Sequence, residues 1–141
     1  ASAVYHLFHV AKKTGVVNLF KSDDKERFKD GEQQRDFIYV KDAAKMTCAF
    51  LNNQAGGIYN IGMGQANSWN TLANSVFKAL KMTPKIEYID MPSDLVGKYQ
   101  NYTCADMKKT QNVLKGVTEC IPFNEAVDDY IRQHLLTNKI W

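Results

Sequence analysis

Residues 31–42, GEQQRDFIYVKD, carry the clearest sign of how the chain folds, because an apolar alternating run leads directly into a helical pattern. The alternation over residues 35–40 predicts a strand that begins at Arg35. Asp42 is placed to cap the amino terminus of a helix that continues to Asn52. A strand followed at once by a helix is typical of a fold in which helices pack against a sheet.

The rest of the chain also alternates between the hydrophobic periodicity of helices and that of strands. Helices are predicted over residues 4–11 with a stop at Gly15, from a Ser68 cap to residue 80, near 104–114, and from about Pro122. Strands are predicted over residues 16–20, 56–62 and 85–90. Residues 21–31 are predicted to form a charged loop. The residues after Ser68 form the clearest amphipathic stripe. The predicted fold class is therefore α/β, or mixed α+β.

Composition excludes several classes of protein. A chain of 141 residues with 45% hydrophobic and 23% charged residues suits one globular domain, residues 1–141. The net charge of +3 comes without a basic stripe, and no apolar run reaches the length of a membrane span, so neither a nucleic-acid partner nor a membrane is expected. Three cysteines without CxxC spacing favour reduced thiols and a cytoplasmic location. His6 and His9 lack the further ligands that a metal site needs.

Catalytic motifs are missing from the sequence. None of the seven tyrosines is followed by a lysine four residues later, and there is no P-loop and no GxSxG motif. The GMGQAN turn at residues 62–67 imitates a dinucleotide-binding fingerprint, but Asn67 replaces the third glycine that lets the helix approach the strand. We therefore predict no catalytic, cofactor-binding or metal-binding residue in this chain.

Two motifs together carry a resemblance to a known family. RDFIYVKDAAK at residues 35–45, followed by GGIYNIG at 56–62, resembles the carboxy-terminal half of the extended short-chain dehydrogenases that act on nucleotide sugars. Stretches at 1–7, 19–22 and 97–106 (ASAVYHL, LFKS, GKYQNYTCAD) are similar to the branch of that family that acts on a heptose carried by ADP.

The resemblance implies a function for a protein longer than this chain. It implies the substrate-binding half of an NADP-dependent epimerase of lipopolysaccharide core synthesis, which inverts C6 of an ADP-linked heptose. NADP and the Tyr-x-x-x-Lys pair would belong to an upstream Rossmann half, which would be a partner of this segment, and the enzyme is expected to be a homo-oligomer. These residues alone are expected to be inactive. Another nucleotide-sugar epimerase or dehydratase, or a non-catalytic sugar-nucleotide-binding module, stays open.

The same resemblance implies which residues contact substrate: His6, Phe20, Lys21, Ser22, Asp23, Arg35 and Tyr99. Arg35 matches the family's phosphate-binding arginine, and a guanidinium offers a charged fork of donors that suits a diphosphate; a surface salt bridge is the alternative. Phe20 could lie against a base or sugar, or simply end a strand in the core. Lys21 could be solvated, His6 could be a surface histidine, and Tyr99 could be packed by its ring instead of bonding a phosphate.

Overall fold

The computed structural model describes residues 2–138, and its elements alternate between helices and short strands. In chain order they are α1 (Ala3–Thr14), β1 (Val17–Phe20), β2 (Gln34–Arg35), α2 (Val40–Leu51), β3 (Asn67–Ser68), α3 (Trp69–Leu80), β4 (Ile86–Ile89), α4 (Lys108–Val113), α5 (Phe123–Asp129) and a π-helical turn (Tyr130–Leu135). This confirms the predicted α/β class.

A single residue at one end of α1 and of α3 determines where each helix stops or starts. The Ser68 hydroxyl accepts a hydrogen bond from the Thr71 amide and begins α3 as predicted. Gly15 ends α1 with a φ of 75°, and its amide donates to the Ala11 carbonyl, which is a left-handed carboxy-terminal cap that glycine adopts without steric strain. Both boundaries were readable from the sequence because each depends on a single residue type next to a periodic pattern.

Helix α3 forms the centre of the main core, which we call the α3 core. Leu72, Ala73, Val76 and Phe77 have no exposed surface, and the stripe predicted from the sequence is the buried face. The α3 core consists of Phe8, Ala11, Val17, Leu19, Leu72, Ala73, Val76, Phe77, Ala79, Val127 and Ile131. These residues come from α1, β1, α3, α5 and the π-helical turn, so α3 joins the two ends of the chain.

The strands form two small sheets. β1 and β4 pair in parallel, with Val17 opposite Ile86 and Phe20 opposite Ile89. β2 and β3 pair antiparallel over two residues each. The Gln34 amide also donates a hydrogen bond to the Asn101 carbonyl, and this contact brings the loop around residue 101 beside β2.

The strand predicted over residues 35–40 is wrong beyond Arg35. β2 ends at Arg35, and α2 already begins at Val40. The backbone between them is free of strand pairing within residues 2–138, while Phe37 packs on the α3 core and Ile38 packs on a second apolar cluster. The alternation therefore reflects packing on two sides of an extended connection, and not a sheet.

Asp42 is not the cap of α2, which corrects a second prediction. The N-cap position is Tyr39, and Asp42 lies in the first turn with only 2% of its surface exposed. Its carboxylate accepts the Ile121 amide at 3.0 Å and pairs with Lys45 at 3.3 Å. The carboxylate that was predicted to cap the helix thus accepts a hydrogen bond from the distant Ile121, a contact that the local sequence does not reveal.

The strand predicted over residues 56–62 is also absent from the described structure. Side chains of the 106–110 segment bind its backbone: Lys109 Nζ donates to the Ile58 carbonyl and Thr110 Oγ1 to the Asn60 carbonyl. The helix predicted near 104–114 is shorter, at Lys108–Val113, and the predicted carboxy-terminal helix begins at Phe123 as expected before it widens into the π-helical turn.

Candidate functional site

A cavity of about 220 Å³, which we call the Tyr99 cavity, lies where α1, β1 and α3 meet the loop that contains Tyr99. Half of the residues in its walls carry aromatic rings. The lining residues are His6, Leu7, Asn18, Leu19, Phe20, Gln33, Trp69 and Tyr99. The structure therefore brings together three of the predicted substrate contacts, His6, Phe20 and Tyr99, from positions up to 93 residues apart in sequence.

Arg35, whose guanidinium lies over the Tyr99 ring, places a positive charge at the edge of this site. The guanidinium carbon lies 4.9 Å from the centre of the Tyr99 ring, and the Phe20 ring meets Tyr99 edge-on with centroids 6.2 Å apart. A cation over an aromatic face is favourable and holds both groups in place. Burial raises the pKa of the Tyr99 hydroxyl, and the Arg35 charge opposes that rise. Tyr99 therefore stays protonated at neutral pH and can donate a hydrogen bond.

Among the described residues, the Arg35 guanidinium makes one hydrogen bond, from Nη1 to the Gln34 carbonyl at 2.8 Å. No carboxylate within residues 2–138 lies at salt-bridge distance from it. An arginine carries five N–H donors, so most of them remain available on this half-buried side chain. This geometry favours an anionic ligand over the alternative of a surface salt bridge.

Asp23 reaches the site indirectly, through the loop that contains Tyr99. Its carboxylate accepts the Gly97 amide and the Asn101 side-chain amide, each at 2.9 Å. The Asn101 hydrogen bond, followed by that of Gly97, lowers the pKa of Asp23 below its ordinary value of 3.8. Asp23 thus positions the 97–101 loop, and its predicted contact with substrate stays a prediction.

Lys21 and Ser22 have internal partners away from the Tyr99 cavity. Lys21 forms an ion pair with Asp90 at 2.8 Å, which raises the lysine pKa and lowers that of the aspartate. Ser22 is buried; its amide donates to Asp30 and its hydroxyl accepts from the Asp24 amide. Neither side chain lines the cavity, so their substrate contacts also stay predictions.

Gln33 and Trp69 line the cavity but were not among the residues predicted from the sequence. Trp69 was assigned only to the amphipathic stripe of α3, where it packs against Phe37 with ring centroids 5.3 Å apart. Gln33 stands two residues before Arg35, and this spacing puts two side chains of an extended backbone on one face. That spacing is the signal that could have identified it.

The glycine turn that imitates a dinucleotide fingerprint is bound by an internal carboxylate, in a cluster of contacts that we call the Asp36 junction. Asp36 accepts the amides of Met63 at 2.7 Å, Gly64 at 3.0 Å and Ala105 at 2.9 Å. A Cβ on Gly62 would lie 2.5 Å from the Ala105 Cβ, so the close approach requires glycine. Because the Met63 and Gly64 amides of the turn already donate to Asp36, they are not free to bind a cofactor phosphate, and the turn does not fit one.

Other parts of the described structure offer less for ligand binding. A larger open groove of about 650 Å³ between α2, α3 and α5 contains none of the predicted residues, and Lys41 and Ser75 in its walls are bound to Asp129 and Asn124. Within residues 2–138, no set of three or more histidine, cysteine, aspartate or glutamate side chains is grouped for metal binding. No helix in the same range has the length and apolar character to cross a bilayer.

Comparison with known proteins first gives the class of protein that this chain resembles. Residues 4–62 match the model of the NAD dependent epimerase/dehydratase family. The fold is also that of MoeE5 solved with UDP-glucose and NAD, at a TM-score of 0.73 and 21% identity, covering 98% of this chain and 42% of that one. These findings agree with the fold of the extended short-chain dehydrogenases.

More specific matches are to a particular epimerase of that class. The chain is 43% identical to the ADP-L-glycero-D-manno-heptose-6-epimerase of Nitratidesulfovibrio vulgaris (strain DP4), over 86% of this chain and 37% of the relative. The Helicobacter pylori enzyme of the same name superimposes with a TM-score of 0.74 at 28% identity, covering 94% of this chain and 37% of that one. The resemblance is confirmed, and the chain spans little more than a third of these two relatives.

Proposed function

We propose that these residues form the sugar-nucleotide-binding part of an NADP-dependent epimerase that inverts C6 of the heptose in ADP-glycero-manno-heptose, a step in lipopolysaccharide core synthesis. Arg35 carries the proposal, because its guanidinium stands over Tyr99 at the edge of an aromatic cavity with no carboxylate at salt-bridge distance in the described chain. The 43% identity to a heptose epimerase supports the choice of substrate.

In this proposal each predicted residue has a stated task. Arg35 binds the diphosphate through its free N–H groups, and Tyr99 donates its hydroxyl to a phosphate oxygen. Phe20 lies against the base or sugar, while His6 donates a hydrogen bond from α1. Lys21, Ser22 and Asp23 belong to the same substrate segment and hold its loops through Asp90, Asp30 and the 97–101 loop.

The redox chemistry belongs to another segment of the protein. This chain has no Tyr-x-x-x-Lys pair, and the Met63 and Gly64 amides of its glycine turn already donate to Asp36. Residues 1–141 alone should therefore neither epimerise the substrate nor bind NADP. We propose that an NADP-binding domain packs against this one. The exposed apolar side chains Val40, Leu51 and Ile58, of which Leu51 and Ile58 are 84% and 88% exposed, support such a contact. A cytoplasmic homo-oligomer completes the proposal.

Calorimetric titration with an ADP sugar tests the phosphate contact. Arg35→Ala should weaken binding roughly 10- to 100-fold, since a hydrogen bond to a charged group is worth about 1.5–3 kcal/mol. Arg35→Lys should recover only part, because the bidentate fork is lost. Arg132→Ala is the matched control, as Arg132 pairs with Asp128 away from the cavity. Unchanged affinity for a folded Arg35→Ala variant would contradict the proposal.

The alternatives give different results in the same assay. Another nucleotide-sugar epimerase or dehydratase predicts preference for a UDP or GDP sugar over an ADP sugar in competition. A non-catalytic binding module predicts the same binding but no epimerase activity in the protein as its native gene encodes it.

A further inference from the structure

Gln33 is a buried polar side chain with unused hydrogen-bonding capacity. Only 1% of its surface is exposed, and within residues 2–138 neither its Oε1 nor its Nε2 has a hydrogen-bond partner. Burying an amide without partners is unfavourable, so native structures leave few such groups. Its backbone is tied to the start of α3, because the Gln33 carbonyl accepts the Trp69 amide at 3.2 Å. The side chain is therefore held in place by its backbone while its carboxamide remains unpaired.

Gln33, whose carboxamide is buried, is one of the residues that line the Tyr99 cavity, together with aromatic rings. Phe20, Trp69 and Tyr99 supply flat apolar walls. At about 220 Å³ the cavity is smaller than the ~300–1,000 Å³ that takes a drug-sized ligand, so it can hold one ring system of a nucleotide sugar and not the whole molecule. Flat aromatic walls with a few polar side chains among them are the features that suit a nucleobase.

We propose that Gln33 is a specificity-determining residue that reads the adenine edge of the bound ADP group. A carboxamide presents an acceptor beside a donor, and adenine presents its 6-amino donor beside a ring-nitrogen acceptor, so the two groups pair bidentately. Tyr99 borders the cavity and also lies under Arg35, so a base held by Gln33 places its diphosphate beside the guanidinium. This inference rests on the proposed function, because that function supplies the ADP.

The experiment compares ligands that differ by one donor in variants that differ by one side chain. ADP and purine riboside diphosphate, which lacks the 6-amino group, are titrated into the full chain and into Gln33→Met. Wild type should bind the analogue roughly 5- to 10-fold more weakly than ADP, as expected for one lost hydrogen bond. In Gln33→Met that difference should disappear, and Gln33→Glu, which keeps one acceptor, should retain part of it. Gln34→Met is the matched control and should keep the full difference.

Each other outcome decides a different question. If Arg35→Ala weakens ADP binding but wild type and Gln33→Met show the same affinity difference between ADP and purine riboside diphosphate, the role of Gln33 is overturned while the proposed function stands. If UDP binds more tightly than ADP in a Gln33-dependent way, the adenine assignment is overturned. If no nucleotide diphosphate binds at millimolar concentration, both proposals are overturned. Thermal unfolding of every variant is followed in parallel. If Gln33→Met does not fold, the test rests on Gln33→Glu, in which the affinity difference between ADP and purine riboside diphosphate must still be smaller than in wild type. An unchanged affinity difference in Gln33→Glu would overturn the inference.

Discussion

The α3 core and the Asp36 junction are stabilised by different kinds of interaction. In the α3 core, side chains such as Phe77 and Leu72 are fully buried and contribute through the apolar area removed from water. At the Asp36 junction one carboxylate accepts three backbone amides from two loops. In the described part of the chain, the second apolar cluster nearby has three buried members, Met46, Met107 and Leu114.

This difference decides what each region tolerates. Hydrophobic burial has no preferred direction, so a core accepts apolar exchanges that conserve volume. A carboxylate that accepts three amides depends on individual atoms, because each amide left buried without a partner carries a desolvation penalty. The α3 core should therefore respond to lost volume, and the Asp36 junction to a single lost acceptor.

Removing volume from the α3 core should have the largest effect on stability. Phe77 is fully buried, so Phe77→Ala should reduce the free energy of unfolding by about 3–5 kcal/mol, through lost burial and the cavity left behind. Urea unfolding followed by tryptophan fluorescence measures the change. Asn74→Ala, on the exposed face of the same helix, should change it by less than about 0.5 kcal/mol. A loss below 1 kcal/mol for Phe77→Ala would show that α3 is not the centre of the core.

Removing the acceptor at the Asp36 junction should have a smaller but more localised effect. Asp36→Ala should destabilise by about 2–3 kcal/mol, because it leaves amides without partners in a half-buried site. Hydrogen exchange should accelerate at Met63, Gly64 and Ala105 before it does in α3. Asp94→Ala, at an exposed carboxylate, is the control. Equal acceleration throughout the chain would mean that the junction is not a separate unit of stability.

The same difference explains how much of the fold was predictable. Helices α1 and α3 follow from local period and from caps at Gly15 and Ser68, since the residues that decide them are neighbours in sequence. The strands expected over 35–40 and 56–62 failed, because their backbone groups bind side chains tens of residues away. An alternating pattern reports which sides are buried, and it does not report whether a second strand is present to pair.

Prediction of the candidate site was limited in the same way. The family resemblance identified Arg35, Phe20 and Tyr99, and the structure places them together. It did not indicate that Asp23 binds the Tyr99 loop, or that the buried Gln33 carboxamide has no hydrogen-bond partner in the part of the chain that the structure describes. Both facts depend on contacts between loops, for which a single sequence carries no periodic signal.

Asp23 provides the mildest test, because it repeats the chemistry of the Asp36 junction at an exposed position. Asp23→Asn should weaken ADP-sugar binding by less than about 5-fold, since exposed contacts of this kind contribute below about 1 kcal/mol. The loss would come from a less ordered 97–101 loop and a less well placed Tyr99. Calorimetric titration measures it, with Asp94→Asn as the matched control.

The pH dependence of Asp23 separates loop positioning from a direct contact with substrate. Its pKa is lowered below 3.8 in the folded chain, chiefly by the Asn101 hydrogen bond, so the folded state binds this proton less tightly than the unfolded state. The stabilisation by Asp23 is therefore fully present above about pH 4 and is lost as the pH falls through its folded pKa. The urea midpoints of wild type and Asp23→Asn, measured without ligand, should differ at pH 6 and converge only as the pH falls through the lowered pKa of Asp23. Identical midpoints at pH 6 together with weaker ADP-sugar binding would instead show that Asp23 touches the substrate and does not position the loop.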